Sequence, residues 1–196
     1  MEFKPYDGYF WQSNLVRLRS MQIEDAHKKL KEYTDSEARS WLQIGMDLPP
    51  ISIEAYIEQI RPYCNFKDTS PNMLFSNETL ENEYVGWINL YGQNPRHGTF
   101  GFGISIFRDY QKKGYAEEAL RLLLRYCFYE KQMQKCNSAC IVINKGSIRL
   151  HRKLGFQEEG RRRRNIYLNG QFNDDIFWGL LKEEFNENDK QYQDNF

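Results

Sequence analysis

The sequence predicts one α+β domain: a central mixed, mostly antiparallel β-sheet flanked by helices. Three observations carry that expectation. Short apolar runs with strand character recur along the chain, and helical patterns fall between several of them. Turn residues punctuate the strand-like runs, most clearly Asn169–Gly170. No internal repeat or low-complexity linker interrupts the chain, so residues 1–185 read as one domain and 186–196 as a polar tail.

The elements follow in order. Leu15–Arg19 alternates apolar and polar residues, as a half-buried strand does. Met21–Tyr33 reads as a helix with Ala26, Leu30 and Tyr33 on one face. After a loop containing Pro49 and Pro50, Ser52 is a good N-cap for a helix that stops near Pro62. Asn72–Asn77 and Glu83–Gly92 are strand-like and are separated by a polar turn. Thr99–Phe107 follows as an apolar strand; Gly101 and Gly103 inside it suggest a bulge or close approach by a ligand. From Tyr115 to about Gln132 the spacing predicts a helix with Ala116, Ala119, Leu120, Leu123 and Cys127 on one face. Cys136–Ile143 is a strand, and Asn144–Phe156 holds a short helix closed by Gly155. Arg164–Leu181 reads as two strands around the Asn-Gly turn, and the tail beyond reads as frayed or loosely docked.

Composition narrows the function classes. The 196 residues are 40% hydrophobic, enough for one substantial core. Lys plus Arg and Asp plus Glu each total 27, so no general basic footprint for nucleic acid exists. The arginine run Arg161–Arg164 lies on a predicted strand, where alternate residues point to opposite faces. No nucleic-acid partner is expected. No apolar run has membrane-spanning length, and the first residues lack a signal-peptide pattern, so a cytoplasmic protein with no membrane partner is expected. Cys64, Cys127, Cys136 and Cys140 form no CxxC pair, and Cys136 and Cys140 have no histidine close by; they read as free thiols, with no metal. The aromatics Trp87, Tyr91, Phe100, Phe102, Phe172, Phe177 and Trp178 lie on predicted strands, where core packing is the default.

The chemistry centres on Arg108–Leu120. An apolar strand turns through a short loop into a helix, with Gly114 and Ala116 at the helix start and Lys112 and Lys113 beside it. A helix start offers unpaired N–H groups and partial positive charge, and small residues let an anion approach them. Phosphate or pyrophosphate is the natural occupant, with an ordinary strand-to-helix turn as the alternative. Neither a Walker loop nor a Rossmann fingerprint is present.

Two motifs in order give this chain its resemblance. Gln111, Gly114 and Ala116 fit the pyrophosphate loop of the GNAT family of N-acetyltransferases. Asn144, Ser147, Leu150, His151, Lys153 to Phe156 and Glu159–Gly160 fit its second motif. The resemblance spans Leu15 to Phe185 and is nearest to the branch containing ribosomal-protein N-terminal acetyltransferases. It implies a single GNAT-like domain that transfers acetyl directly from acetyl-CoA to a primary amine, on a small molecule or a protein N-terminus. It implies that the strand backbone of Ile104, Ser105 and Ile106 pairs with the pantetheine arm. With Gln111, the amides of Lys112, Lys113, Gly114, Tyr115, Ala116 and Glu117 would hold the pyrophosphate, and Asn144 and Ser147 would stand on the cofactor side. Trp87, Tyr91 and the loop carrying Asp47 would border the acceptor. A homodimer is the family habit.

His151 is the main departure, because the family usually has tyrosine there as the acid that protonates departing thiolate. Imidazole, with a pKa near 6.5, is mostly neutral at pH 7 and donates one N–H, so orienting sulfur and acid catalysis both stay open. The base is also open: the central strands supply no glutamate, which leaves ordered water, Ser105 or a carboxylate from the early helices. These two gaps motivate the alternative reading, a catalytically silent acetyl-CoA-binding module or sensor.

Overall fold

The computed structural model describes residues 9–41, 50–64 and 72–193. In chain order the elements are β1 (Val16–Ser20), α1 (Asp25–Thr34), α2 (Ser36–Trp41), α3 (Ile53–Cys64), β2 (Met73–Thr79), β3 (Tyr84–Asn94) and β4 (Thr99–Ile106). There follow α4 (Tyr115–Arg125), β5 (Lys135–Ile141), α5 (Lys145–Lys153), β6 (Gln157–Leu168), β7 (Gln171–Leu181) and α6 (Lys182–Gln193). The expected strands are present. The sequence reading lacked α2 and α6, and it began β6 too late. Asp47 lies outside the described residues.

The strands form one seven-stranded sheet in the order β1-β2-β3-β4-β5-β7-β6. Every neighbouring pair is antiparallel except β4–β5. Alternation along each strand divides the side chains between two cores. On one face Leu18, Ile88, Leu90, Phe100 and Phe102 pack with Leu120, Leu123 and Leu124 of α4 and with Phe156 after α5. Each fully buried leucine contributes about 2 kcal/mol of apolar transfer. On the other face Met21, Tyr56, Ile60, Tyr84, Trp87 and Phe107 pack beneath α1 and α3.

α4 forms because Ala116, Glu117, Glu118, Ala119 and the leucines after them are strong helix formers, with two acids in the first turn. Its last turns loosen into a π-helical segment, Tyr126–Glu130, and Gln132 follows in the left-handed region at φ 55°. The outer face of α4 is covered as well. The expected loose tail is instead α6 as far as Gln193, with Phe185 fully buried and Asp189 bonded to Arg125.

Of the aromatics expected in the core, Trp87, Phe100, Phe102 and Trp178 are buried and Phe177 is half-buried. Tyr91 and Phe172 are exposed, at 42% and 56%. Both lie near strand ends, Phe172 beside the β6–β7 turn. Three cysteines are buried and Cys64 is half-buried; all are free. Among the described residues, no helix is long and apolar enough to cross a membrane.

Candidate active site

β4 and β5 pair only from Thr99–Gly101 to Lys135–Asn137, after which they part. β4 stays bound to β3 as far as Ile106, and β5 to β7 as far as Ile141. The sheet therefore opens between its two central strands. Among the described residues, the backbone edge of Phe102–Ile106 facing β5 has no strand partner. Ile104, Ser105 and Ile106 lie on this open edge.

The chain leaves β4 through a 3-10 turn, Arg108–Tyr110, and reaches α4 at Gly114. Gly114 has φ +88° and Lys112 φ 63°, two left-handed residues that fold the loop around the start of α4. A Cβ on Gly114 would stand 3.2 Å from Leu15 Cδ1, so glycine is favoured by backbone and by space. The first helical bonds run from Glu117 N and Glu118 N to the Gly114 carbonyl, at 3.0 and 3.2 Å. The N–H groups of Lys112, Lys113, Gly114, Tyr115 and Ala116 donate to no protein group among the described residues. Five consecutive free amides with the positive end of α4 behind them make a cradle for an anion. Glu117 departs from expectation. Its amide is already used, and its carboxylate is ion-paired to Arg121 and Lys153. Gln111 braces the loop, donating from Nε2 to the Ile106 carbonyl at 3.0 Å.

At the far side of the opening, Asn144 Oδ1 accepts from Ser147 N at 2.9 Å and caps α5. Gly155, at φ 87°, closes α5. His151 is 2% exposed and lies within the core. Its ring stacks on Trp178, 5.2 Å between centroids, and meets Phe156 edge-on at 5.0 Å. Nδ1–H donates to the Ser147 carbonyl at 2.8 Å, which fixes the tautomer; Nε2 then accepts from the Ser138 hydroxyl at 2.9 Å. Burial pushes the imidazole down to about 4, although the Ser147 bond opposes this. Of the two roles left open for His151, the acid's is corrected on these grounds. The ring is neutral near pH 7, and its one N–H is already given to a carbonyl.

The opposite face of β4 holds a second group of functional side chains. Trp87 and Ser105 are cross-strand partners there, as are Asn89 and Gly103, and Tyr91 and Gly101. A Cβ on Gly103 would run into Asn89 Oδ1, and one on Gly101 would stand 2.9 Å from the Tyr91 ring. The close approach predicted at these glycines is thus made by the chain's own side chains, and the register shift lies nearby between Tyr91 and Asn94. Glu32 reaches this face from α1. Its Oε2 accepts from Trp87 Nε1 at 2.7 Å, and its Oε1 accepts a short hydrogen bond from Ser105. Sequence reasoning left the carboxylate unnamed. Glu32 lies on the face of α1 next to Lys29, but only the packing of α1 across β3 and β4 reveals its partners.

Lys29 is buried over the Trp87 ring, 3.7 Å from its centroid. Burial pushes its ammonium down to about 7, against the pull of Glu32. Beside this group a cleft of about 470 Å³ opens between α1–α2 and residues 106–111. Asp35 and Glu37 on its rim are ion-paired to Arg108.

The chain matches the family model for the acetyltransferase (GNAT) domain over residues 16–157. It is 40% identical over 176 residues to the SPbeta prophage-derived uncharacterized N-acetyltransferase YokL of Bacillus subtilis, covering 90% of this chain and 95% of that protein. The chain belongs to the GNAT acetyltransferases. It is also 30% identical over 170 residues to the spermidine N(1)-acetyltransferase of Escherichia coli K12, covering 87% of this chain and 88% of the relative. Among solved structures, its fold is similar to that of a spermidine N-acetyltransferase from Vibrio cholerae in complex with CoA and spermine. The TM-score is 0.76 at 21% identity, over 87% of this chain and 97% of that one. The opened β4–β5 edge and the amide cradle therefore sit in an acetyl-CoA-dependent acetyltransferase, and the chain is a GNAT N-acetyltransferase.

Arg161 pairs with Glu158 and Arg162 with Asp175, and Arg164 lies over the Phe172 ring.

Proposed function

We propose that this GNAT enzyme acetylates a primary amine, and that its cofactor lies along the open edge of β4 with its pyrophosphate at the start of α4. The observation that carries the reading is the run of five free amides from Lys112 to Ala116 beside an unpaired stretch of β4. The residues fit the cofactor. The amides suit a pyrophosphate, Lys112 and Lys113 add positive charge, and the edge of Ile104–Ile106 suits an amide-bearing arm. When bound, acetyl-CoA supplies a thioester that an amine attacks.

The protein's own residues then have distinct tasks. Gln111 holds the loop against the end of β4, and Asn144 fixes the start of α5. His151 is a positioning residue: it ties α5 to β5 through Ser138 and sets the wall of the opening. Trp87 and Tyr91, on the face away from α4, border the route by which an amine arrives. Relatives acting on spermidine favour a polyamine acceptor, and the ribosomal-protein branch favours a peptide N-terminus; both are primary amines. The cytoplasm is the compartment proposed.

Calorimetric titration with acetyl-CoA tests the reading. Micromolar binding is expected in the wild type. Gly114→Glu places a carboxylate at the cradle and a side chain at φ +88°, and binding should weaken at least a hundredfold. Unchanged affinity in Gly114→Glu would remove the loop from the cofactor site. Release of free thiol with spermidine or a short peptide then separates a working enzyme from a silent acetyl-CoA-binding module.

A further inference from the structure

We propose that Glu32 is the carboxylate that receives the acceptor's ammonium and takes up its proton before acetyl transfer, with Ser105 and Trp87 holding it over β4. The inference rests on the primary-amine reading above and adds the group that reading leaves without a name.

The geometry is specific. Glu32 comes from α1, yet both of its oxygens are bonded to the central strands. Oε2 takes the Trp87 indole N–H at 2.7 Å, and Oε1 takes the Ser105 hydroxyl. Ser105 and Trp87 face one another across β4 and β3, so the carboxylate is clamped on the cofactor strand itself. Ser105 lies in the stretch of β4 that has parted from β5.

The bonds around it leave room for a further donor. Of the other carboxylates lining the cleft, Asp35 and Glu37 are ion-paired to Arg108, and Asp109 is the third. Both of Glu32's donors are neutral, and each oxygen keeps a lone pair for a further donor. The titratable groups nearest it are Lys29 of α1 and Tyr84 of β3; the cleft beside it is lined further by His27, Lys28, Lys31, Asp109, Tyr110 and Arg108. Burial brings Lys29 to about 7, so this neighbour gives up charge in the working pH range. An incoming alkylammonium would donate to the remaining lone pairs of this carboxylate.

The proton balance is direct. An alkylammonium has a pKa near 10 and holds its lone pair as an N–H bond at neutral pH. Glu32 takes that proton, the amine's C–N bond forms as the thioester C–S bond breaks, and a second N–H proton ends on the CoA thiol. Glu32 afterwards returns its proton to water.

The test uses the full chain with spermidine and with a short peptide bearing a free N-terminus. Glu32→Gln keeps both hydrogen bonds in shape and removes the charge. Its kcat/KM at pH 7 should fall about a hundredfold, within the usual range for loss of a general base. The deficit should shrink as pH approaches the amine's own pKa, a change of profile that a merely structural role would not produce. Spermidine affinity measured with CoA present should fall about tenfold, while acetyl-CoA affinity stays the same. Glu32→Asp should lose rate but keep the wild-type pH profile.

A wild-type rate and profile in Glu32→Gln overturns the inference and leaves the amine reading intact. A loss of acetyl-CoA affinity equal to the loss of rate also overturns it, by making Glu32 a scaffold residue. A wild type that binds acetyl-CoA but acetylates neither amine overturns both readings.

Discussion

At the scale of single residues, the same physical rule gives His151 and Lys29 different outcomes. Both are titratable groups buried among aromatic rings, and burial lowers the pKa of each. His151 ends neutral, with both nitrogens bonded. Lys29 ends near 7, over an indole and beside a carboxylate. For His151 the pH dependence follows from the sign of the shift. An unfolded chain binds a proton at this histidine near 6.5, and the folded chain only near 4. Between those values the unfolded state holds more protons, so stability falls as pH drops through that window and is fully present above it. The expected loss is about 3 kcal/mol, at ~1.4 kcal/mol per pH unit. Thermal melts of wild type and His151→Gln from pH 7 to pH 4.5 would measure it. The wild type should lose more of its Tm than the variant over this range, and parallel losses would mean that the imidazole is open to water. The sequence motif placed this residue on the short helix and left orienting sulfur and acid catalysis both open, because spacing specifies where a residue falls on α5 and not how deep the ring sits.

At the scale of elements, what was legible followed pattern, and what was missed depended on contacts. The apolar face of α4 and the Asn144 and Gly155 caps of α5 appear as local signals, and the structure uses them as read. Ser52 caps α3 as expected, its Oγ accepting from Ala55 N at 3.2 Å, but α3 continues past Pro62 to Cys64. A proline in the last turn lacks only one bond, and packing of Ile60 and Tyr56 carries the helix over it. α2 did carry a cap signal: Asp35 Oδ1 accepts from Glu37 N and Ala38 N at 3.0 and 3.1 Å. The helix is too short to show periodicity. α6 looked like a tail because it is polar, with Phe185 its only large apolar residue among those fully buried. Its docking is electrostatic as well as apolar. Arg125 Nε and Nη2 donate to the two oxygens of Asp189 at 3.1 and 3.0 Å, and Arg121 lies 3.5 Å from the same carboxylate. Asp189 is 3% exposed, so removing it leaves buried guanidinium groups without this partner. Asp189→Ala should cost about 3 kcal/mol, in the range for breaking a buried ion pair. Urea unfolding followed by circular dichroism would show it; a cost under about 0.5 kcal/mol, the level of an ordinary surface change, would make α6 peripheral to the fold.

At the scale of the whole molecule, the proposed sites for the two substrates fall on opposite faces of the sheet. α4 and its free amides belong to one face, and Glu32, Trp87 and the cleft to the other. Among the described residues, the sheet opens between its central strands where β4 parts from β5. Neither face alone explains the enzyme: the amide cradle gives no proton acceptor, and the carboxylate gives no hold on a cofactor. This arrangement predicts a spatial pattern of hydrogen exchange. Amides that gain a ligand partner exchange more slowly, and those on elements that touch no ligand do not change. On addition of CoA, the amides of Lys112 to Ala116 and those on the open edge of Phe102–Ile106 should slow at least tenfold. α2 and the β6–β7 hairpin should be unaffected. Adding spermidine to that complex should then slow exchange in the second half of α1, around Glu32, without further change at α4. Protection by CoA spread evenly over both faces would mean that the sheet does not separate the sites. Protection confined to α1 and the cleft would place the cofactor on the wrong side of β4 and would reverse the assignment of the two faces.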